Sequence, residues 1–278
     1  MRRASQLYAS LVRRHPIAAS CVAAIAVAVA ASGVHRGHAR QTAAYLAAVA
    51  LGAVVTDLLT LRGAVAPLPV RSPRRESIVI GACWAVAMGW LLQRFVENYR
   101  PSAPIARLAW ATAGLGCVFT IMPALWLLTR RYSPRDLGLR LNGLAAAIAV
   151  LAIFATIALT CAPASMTWRE IRTLGPLDIA EIALSAALSE EFFRVIWQTR
   201  VGAWLRSPAA GWLIASIAWA LLHFPKDLAD DGSVHSALID AIDIVPLGLL
   251  WGYLTHRARS FVPSAVLHAC NVWGLQNL

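Results

Sequence analysis

The segment LSAALSEEFFRVIWQTR (184–200) places Glu190, Glu191 and Arg194 among apolar residues. A charged side chain at the centre of a bilayer costs about 2.5 to 3.5 kcal/mol even on a lenient insertion scale, so this group needs a compensating role. On a helix, Arg194 can form an ion pair with either acid, at a spacing of three or four residues. One arginine cannot neutralise two acids, and the remaining glutamate has the chemistry of a general base acting on water.

Two later segments add polar residues to apolar runs. His223 ends the run in SIAWALLHFPKD, and His268 and Asn271 share one helical face in SAVLHACNVWG. Either histidine, taken alone, is explained as a core residue whose hydrogen bonds are satisfied or as a residue that caps a helix end. Because polar groups inside membranes usually face one another or a water-filled cavity, their occurrence on separate apolar segments predicts one shared site.

Two chemistries fit these residues. In the first, Glu190 or Glu191 takes a proton from water, His223 holds that water, and His268 with Asn271 donates hydrogen bonds to a tetrahedral oxyanion. In the second, His223, His268 and Glu190 bind zinc, and the other glutamate acts as the base. The residue types do not separate these alternatives, although the metal-free form, with no cofactor, is favoured.

The elements that carry these residues are predicted to be membrane helices. The chain has 278 residues, of which 59% are hydrophobic and 14% charged, with a mean hydropathy of +0.61. This composition is typical of a polytopic membrane protein and predicts an all-α bundle with about eight to nine spans of roughly 20 residues. The predicted spans are 17–34, 43–61, 77–96, 104–128, 143–162, 178–199, 208–224, 237–255 and 261–276.

The net charge of +11 does not indicate a nucleic-acid partner, because the basic residues lie in short loops between spans and form no continuous patch. Alternate loops differ in basic content, and the richer set includes the N-terminus. This asymmetry predicts a cytoplasmic N-terminus in a plasma membrane, the bacterial inner membrane, with the acidic loop KDLADDG (226–232) on the far side. The first apolar run is long enough to be a retained helix.

The polar loop RRYSPRDLGLRLNG (130–143) separates two parts. Residues 1–130 form Ala-rich spans of unknown role, in which Asp57 is a lone acid predicted to reach toward the interface. Residues 131–278 contain all the candidate catalytic residues.

The order Glu-Glu then Arg194, Trp219-x-x-x-His223, and His268 followed by Asn271 resembles the CPBP family. These are the CAAX-processing and bacteriocin-processing intramembrane endopeptidases, also called the ABI family. The resemblance extends from about 135 to 276 and implies an all-helical membrane fold that cleaves a peptide bond in a membrane-associated substrate. It leaves a glutamate or a metallo mechanism open. The first and last motifs are each one residue shorter than usual, and Glu190 is an acid under either alignment, so it is predicted to activate water.

Other functions use the same residues differently. A non-catalytic scaffold or transporter would carry them as a structural polar cluster, although the chain lacks the internal repeats typical of transporters. A lipid-modifying or acyl-transfer enzyme would need a nucleophile, for which Ser189 and Cys270 lie next to the motifs. For a protease, a prenylated CAAX protein and a leader or sorting peptide are both candidate substrates.

Overall fold

The computed structural model describes residues 13–60, 66–98, 114, 116–161 and 187–271. Within these ranges the protein is all-helical and contains no strand, which confirms the predicted fold class. A π-helical turn at Cys117–Ile121 leads into α4. The helices are α1 (Pro16–His35), α2 (Ala39–Thr60), α3 (Pro73–Asn98), α4 (Met122–Thr129), α5 (Leu144–Cys161), α6 (Leu188–Trp204), α7 (Pro208–Leu221), α8 (Phe224–Asp231), α9 (Val234–Ala258) and α10 (Val262–Asn271).

Five stretches of the described chain are long and apolar enough to cross a membrane. They correspond to α1, α2, most of α3, α7 with α8, and α9. The outer helices expose large apolar side chains, such as Ile17 and Val86, as expected for a surface that faces lipid. The protein is therefore an integral membrane protein, but the predicted count of eight to nine spans is not confirmed. The predicted spans 104–128, 178–199 and 261–276 lie partly outside the described residues.

Helix α6 lies at the centre of the bundle and is buried along most of its length. It packs closely against α7, where a Cβ on Gly211 would lie 2.3 Å from the carbonyl oxygen of Gln198. Small residues allow helix backbones to approach in this way inside membranes. The contact fixes the position of α6 relative to α7, and these two helices carry most of the candidate site.

Helix α9 contains Pro246, which removes one backbone donor and weakens the local helix. The carbonyl oxygens that follow accept side-chain hydrogen bonds from α6. Arg194 Nη1 donates to Gly248 O at 2.7 Å, and Gln198 Nε2 donates to Gly252 O at 3.0 Å. Because donors and acceptors are both four residues apart, α6 and α9 are joined at two successive turns.

Contacts between loops join the helices at two ends of the bundle. At one end, Arg71 donates to the carbonyls of Arg130 and Arg131, and Ser260 donates to that of Arg140. At the other end, the first loop reaches α9, where Arg36 pairs with Asp240. Which end faces the cytoplasm stays a prediction.

Buried acids on α2 and α3 form ion pairs with arginines from the second half of the chain. Arg200 Nε on α6 lies 3.1 Å from Glu76 Oε2 on α3, and both side chains are fully buried. Tyr132 donates to the same carboxylate at 3.0 Å. The predicted boundary between 1–130 and 131–278 stays a prediction, but helices from both sides of it form one bundle.

The second pair corrects the expectation for Asp57. Its side chain is buried on α2, where Arg257 Nε lies 3.1 Å and Tyr253 Oη 2.6 Å from Oδ1. Asp57 therefore does not reach toward the interface. The interpretation as a lone acid was wrong because its cationic partner lies 200 residues further along the chain, at the end of α9.

Candidate active site

Glu191 and Arg194 form the buried base of the site. Both side chains are 0% exposed, and Arg194 Nη2 forms an ion pair with Glu191 Oε2. The guanidinium also lies over the rings of Trp219 and Trp251, at 5.4 and 5.5 Å from their centroids. An ionised pair in such surroundings needs further partners to offset the lost hydration, and the Gly248 carbonyl and the two rings provide them.

Glu190 points in a different direction from Glu191 and retains some exposure, with 13% of its side chain accessible. Its Oε2 accepts a hydrogen bond from Trp219 Nε1 at 2.6 Å. Successive residues on a helix are rotated by about 100°, which separates the two acids. The geometry thus gives them different surroundings: Glu191 lies in an ion pair, and Glu190 lies at the edge of the polar cluster.

His268 on α10 lies between the two glutamates. Its Nδ1 is 3.1 Å from Glu191 Oε1, and its Nε2 is 3.8 Å from Glu190 Oε2. Because the Glu191 carboxylate is paired with Arg194 and accepts hydrogen bonds, the ring is oriented to donate its Nδ1–H. The ring also stacks on Trp251, with centroids 4.5 Å apart, so its orientation is fixed from several sides.

His223 lies at the turn between α7 and α8, directly before Phe224 and Pro225. Its ring packs edge-on against Trp219, with centroids 5.0 Å apart. Its Nδ1 is buried and has no hydrogen-bond partner among the described residues. The ring also lines a cavity of about 540 Å³, so His223 connects the polar cluster to a space large enough for water or a ligand.

The structure therefore brings Glu190, Glu191, Arg194 and His268 into contact, with His223 joined to them through Trp219. The side chain of Asn271, the last residue of α10, lies outside the described residues. Its role in the oxyanion site stays a prediction, as do the catalytic roles of the other residues.

The described residues contain no group of three or more His, Cys, Asp or Glu side chains arranged to hold a metal ion. One nitrogen of His268 faces the ion-paired Glu191, and Glu190 accepts the indole donor of Trp219. The choice between the glutamate and the metallo mechanism stays a prediction, and no step below involves a metal.

Trp219 is the main site residue that sequence reasoning did not assign a role. It contacts Glu190, His223, His268 and Arg194. One signal was its position four residues before His223, which places both side chains on one helical face. No sequence pattern indicated the Gly248 carbonyl that holds Arg194.

The site is thus a largely buried cluster of two glutamates, an arginine and a histidine inside a bundle of membrane helices. Comparison with protein families adds an independent finding. Residues 172–274 match the family model described as Type II CAAX prenyl endopeptidase Rce1-like, so this part of the chain is similar to that family. The match contains every candidate catalytic residue and excludes α1 to α5. No curated protein and no solved structure matches the chain.

Proposed function

We propose that this protein hydrolyses a peptide bond in a membrane-associated polypeptide, with Glu190 as the base that activates water. The observation that carries the proposal is the contact chain that joins Glu190, Trp219, His268 and Glu191 across α6, α7 and α10. The family match independently supports an intramembrane endopeptidase.

In the first step, a water molecule lies between Glu190 and His223. Glu190 accepts a proton from this water, and the water oxygen attacks the carbonyl carbon of the scissile bond. The Trp219 indole fixes the Glu190 carboxylate at 2.6 Å, so one oxygen is held while the other is available to the water. The expected gain is that of a positioned general base, about a hundredfold to ten-thousandfold in rate.

In the second step, the carbonyl oxygen carries negative charge and needs donors. We assign this role to the Asn271 amide, three residues after His268, whose ring directs its Nδ1–H at Glu191. Removal of one such donor typically lowers kcat by about a hundredfold to a thousandfold. The intermediate collapses when Glu190 returns its proton to the leaving nitrogen and the carbon–nitrogen bond breaks.

Glu191 and Arg194 do not touch the reacting atoms in this proposal. They hold the Nδ1 side of His268 and anchor α6 to α9 through Gly248. They are therefore positioning residues. The substrate is proposed to be a prenylated CAAX protein or a peptide with a leader or sorting signal, handled in a bacterial inner membrane with the N-terminus in the cytoplasm.

The test compares the membrane proteomes of cells with and without the gene, to find a polypeptide that stays unprocessed. That polypeptide is then incubated in proteoliposomes with the purified protein or with Glu190→Ala. Cleavage by the native protein and its loss in Glu190→Ala, with an unchanged thermal transition, supports the proposal. Full activity in both Glu190→Ala and Glu191→Ala would overturn it.

A further inference from the structure

The cavity next to His223 is built by two parts of the chain. Its walls come from α1 and α2, which lie outside the family match, and from the α7–α8 turn, α8 and α9. It reaches the protein surface, since the side chains of Arg36 and Lys226 on its rim are 39% and 50% exposed. The N-terminal helices thus enclose a space that opens on a candidate catalytic residue.

The charges that line this cavity do not balance. Asp227, Asp240 and Asp243 are opposed by Arg36 and Lys226. Lys226 Nζ lies 2.6 Å from Asp230, which is not part of the lining, so Lys226 is shared between an acid outside the cavity and the acids inside it. The lining therefore has an excess of negative charge.

Within that lining, Arg36 is shared by two acids, at 2.6 Å from Asp240 and 3.7 Å from Asp243. The Oδ1 atom of Asp243 is buried with no hydrogen-bond partner among the described residues. Asp227 forms no ion pair within 4.0 Å in the described part of the chain. Two carboxylates thus have accepting capacity that the protein itself does not use.

Asp227 follows His223 by one helical turn, and its backbone N–H donates to the His223 carbonyl at 3.0 Å. A ligand group at Asp227 is therefore about 6 Å along the helix from the histidine of the candidate site. A donor-rich cation would satisfy the free carboxylate positions, whereas an anion would be repelled.

We propose that this cavity is a substrate subsite that receives a lysine or arginine side chain of the polypeptide, with Asp227 as its ion-pair partner. The inference rests on the proposed function, because the bound side chain belongs to a substrate only if the protein cleaves polypeptides. The cation preference itself is a property of the cavity and can be measured without cleavage.

The first experiment measures the reaction of a cavity thiol with charged reagents. The five native cysteines are replaced by alanine, and Thr42→Cys places a thiol in the lining. The rates with the trimethylammonioethyl and sulfonatoethyl methanethiosulfonates are compared, each normalised to its reaction with a free thiol. A preference of about fivefold or more for the cation is expected from the negative charge of the lining that Thr42 shares with Asp227, Asp240 and Asp243.

Asp227→Asn should reduce this preference to about half or less, whereas Asp136→Asn, which removes one acid at the opposite end of the bundle, should not change it. Equal rates, or a faster anion, would overturn the inference. Ile244→Cys supplies a second reporter in the lining, and failure of both thiols to react with either reagent would equally overturn it.

The second experiment uses cleavage. Peptides derived from the unprocessed polypeptide carry lysine, glutamine or glutamate at each position near the scissile bond. At one position, lysine should raise kcat/KM over glutamine, and in Asp227→Asn the lysine and glutamine peptides should be cleaved with about the same kcat/KM. Cleavage with no cation preference at any position would overturn the subsite and leave the protease intact. Absence of all cleavage would overturn the proposed protease function. The cation preference of the cavity would then be tested by the reagent rates alone.

Discussion

Glu191→Gln should destabilise the protein far more than Glu190→Gln, although the two residues are adjacent. Glu191 and Arg194 are both 0% exposed, and the substitution leaves the guanidinium buried without its counter-charge. Removing one partner of such a pair costs about 3–5 kcal/mol. Glu190 is partly exposed and accepts one indole hydrogen bond, so its substitution should cost about 1–2 kcal/mol.

The free energy of unfolding can be measured by reversible denaturation in mixed micelles, followed by tryptophan fluorescence. The double variant Glu191→Met with Arg194→Met is the control, because replacement of both charges by apolar groups removes the uncompensated charge. It should recover at least half of the lost stability. Equal destabilisation by Glu190→Gln and Glu191→Gln, or no recovery in the double variant, would refute the assignment of Glu191 to the ion pair.

Three further predictions concern the reaction. Trp219→Phe keeps the aromatic packing but removes the donor to Glu190, so kcat should fall about tenfold to a hundredfold in the proteoliposome assay; an unchanged kcat would contradict a positioning role. Gly248→Ala places a methyl group 2.7 Å from the Trp219 ring, and should lower the free energy of unfolding by about 1–3 kcal/mol and slow cleavage. A zinc chelator should leave the cleavage rate unchanged, and a loss that added zinc restores would favour the metal mechanism instead.

Much of the site was predictable because each helix carries a local signal. Glu190, Glu191 and Arg194 are charges in an apolar segment, and the bilayer makes such residues costly unless they meet partners. The same argument predicted that His268 would join them, and it lies 3.1 Å from Glu191. Water activation by Glu190 rather than Glu191 stays a prediction. Their surroundings differ as this role requires, because Glu190 is partly exposed whereas Glu191 is buried in an ion pair.

The features that sequence did not predict depend on contacts between distant segments. The partner of Asp57 is Arg257, and the partner of Glu76 is Arg200. No periodicity relates such residues, because the pairing is set by how α2 and α3 pack on α9 and α6. The Gly248 carbonyl is a backbone group and has no signature in side-chain types.

The cavity was also not predictable from the sequence. Its lining combines residues near positions 36, 227 and 243, which only helix packing brings together. The loop-charge pattern assigned Arg36 and Lys226 to the same side of the membrane, and that alternation is consistent with their common cavity.

The central claim is that Glu190 activates a water molecule for peptide hydrolysis. Cleavage of the identified substrate in oxygen-18-labelled water, followed by mass spectrometry of the new C-terminus, tests it most directly. One labelled oxygen is expected in that carboxyl group with the native protein, and no labelled product with Glu190→Gln. An acylated or unlabelled product, or equal labelled product from Glu190→Gln, would contradict it.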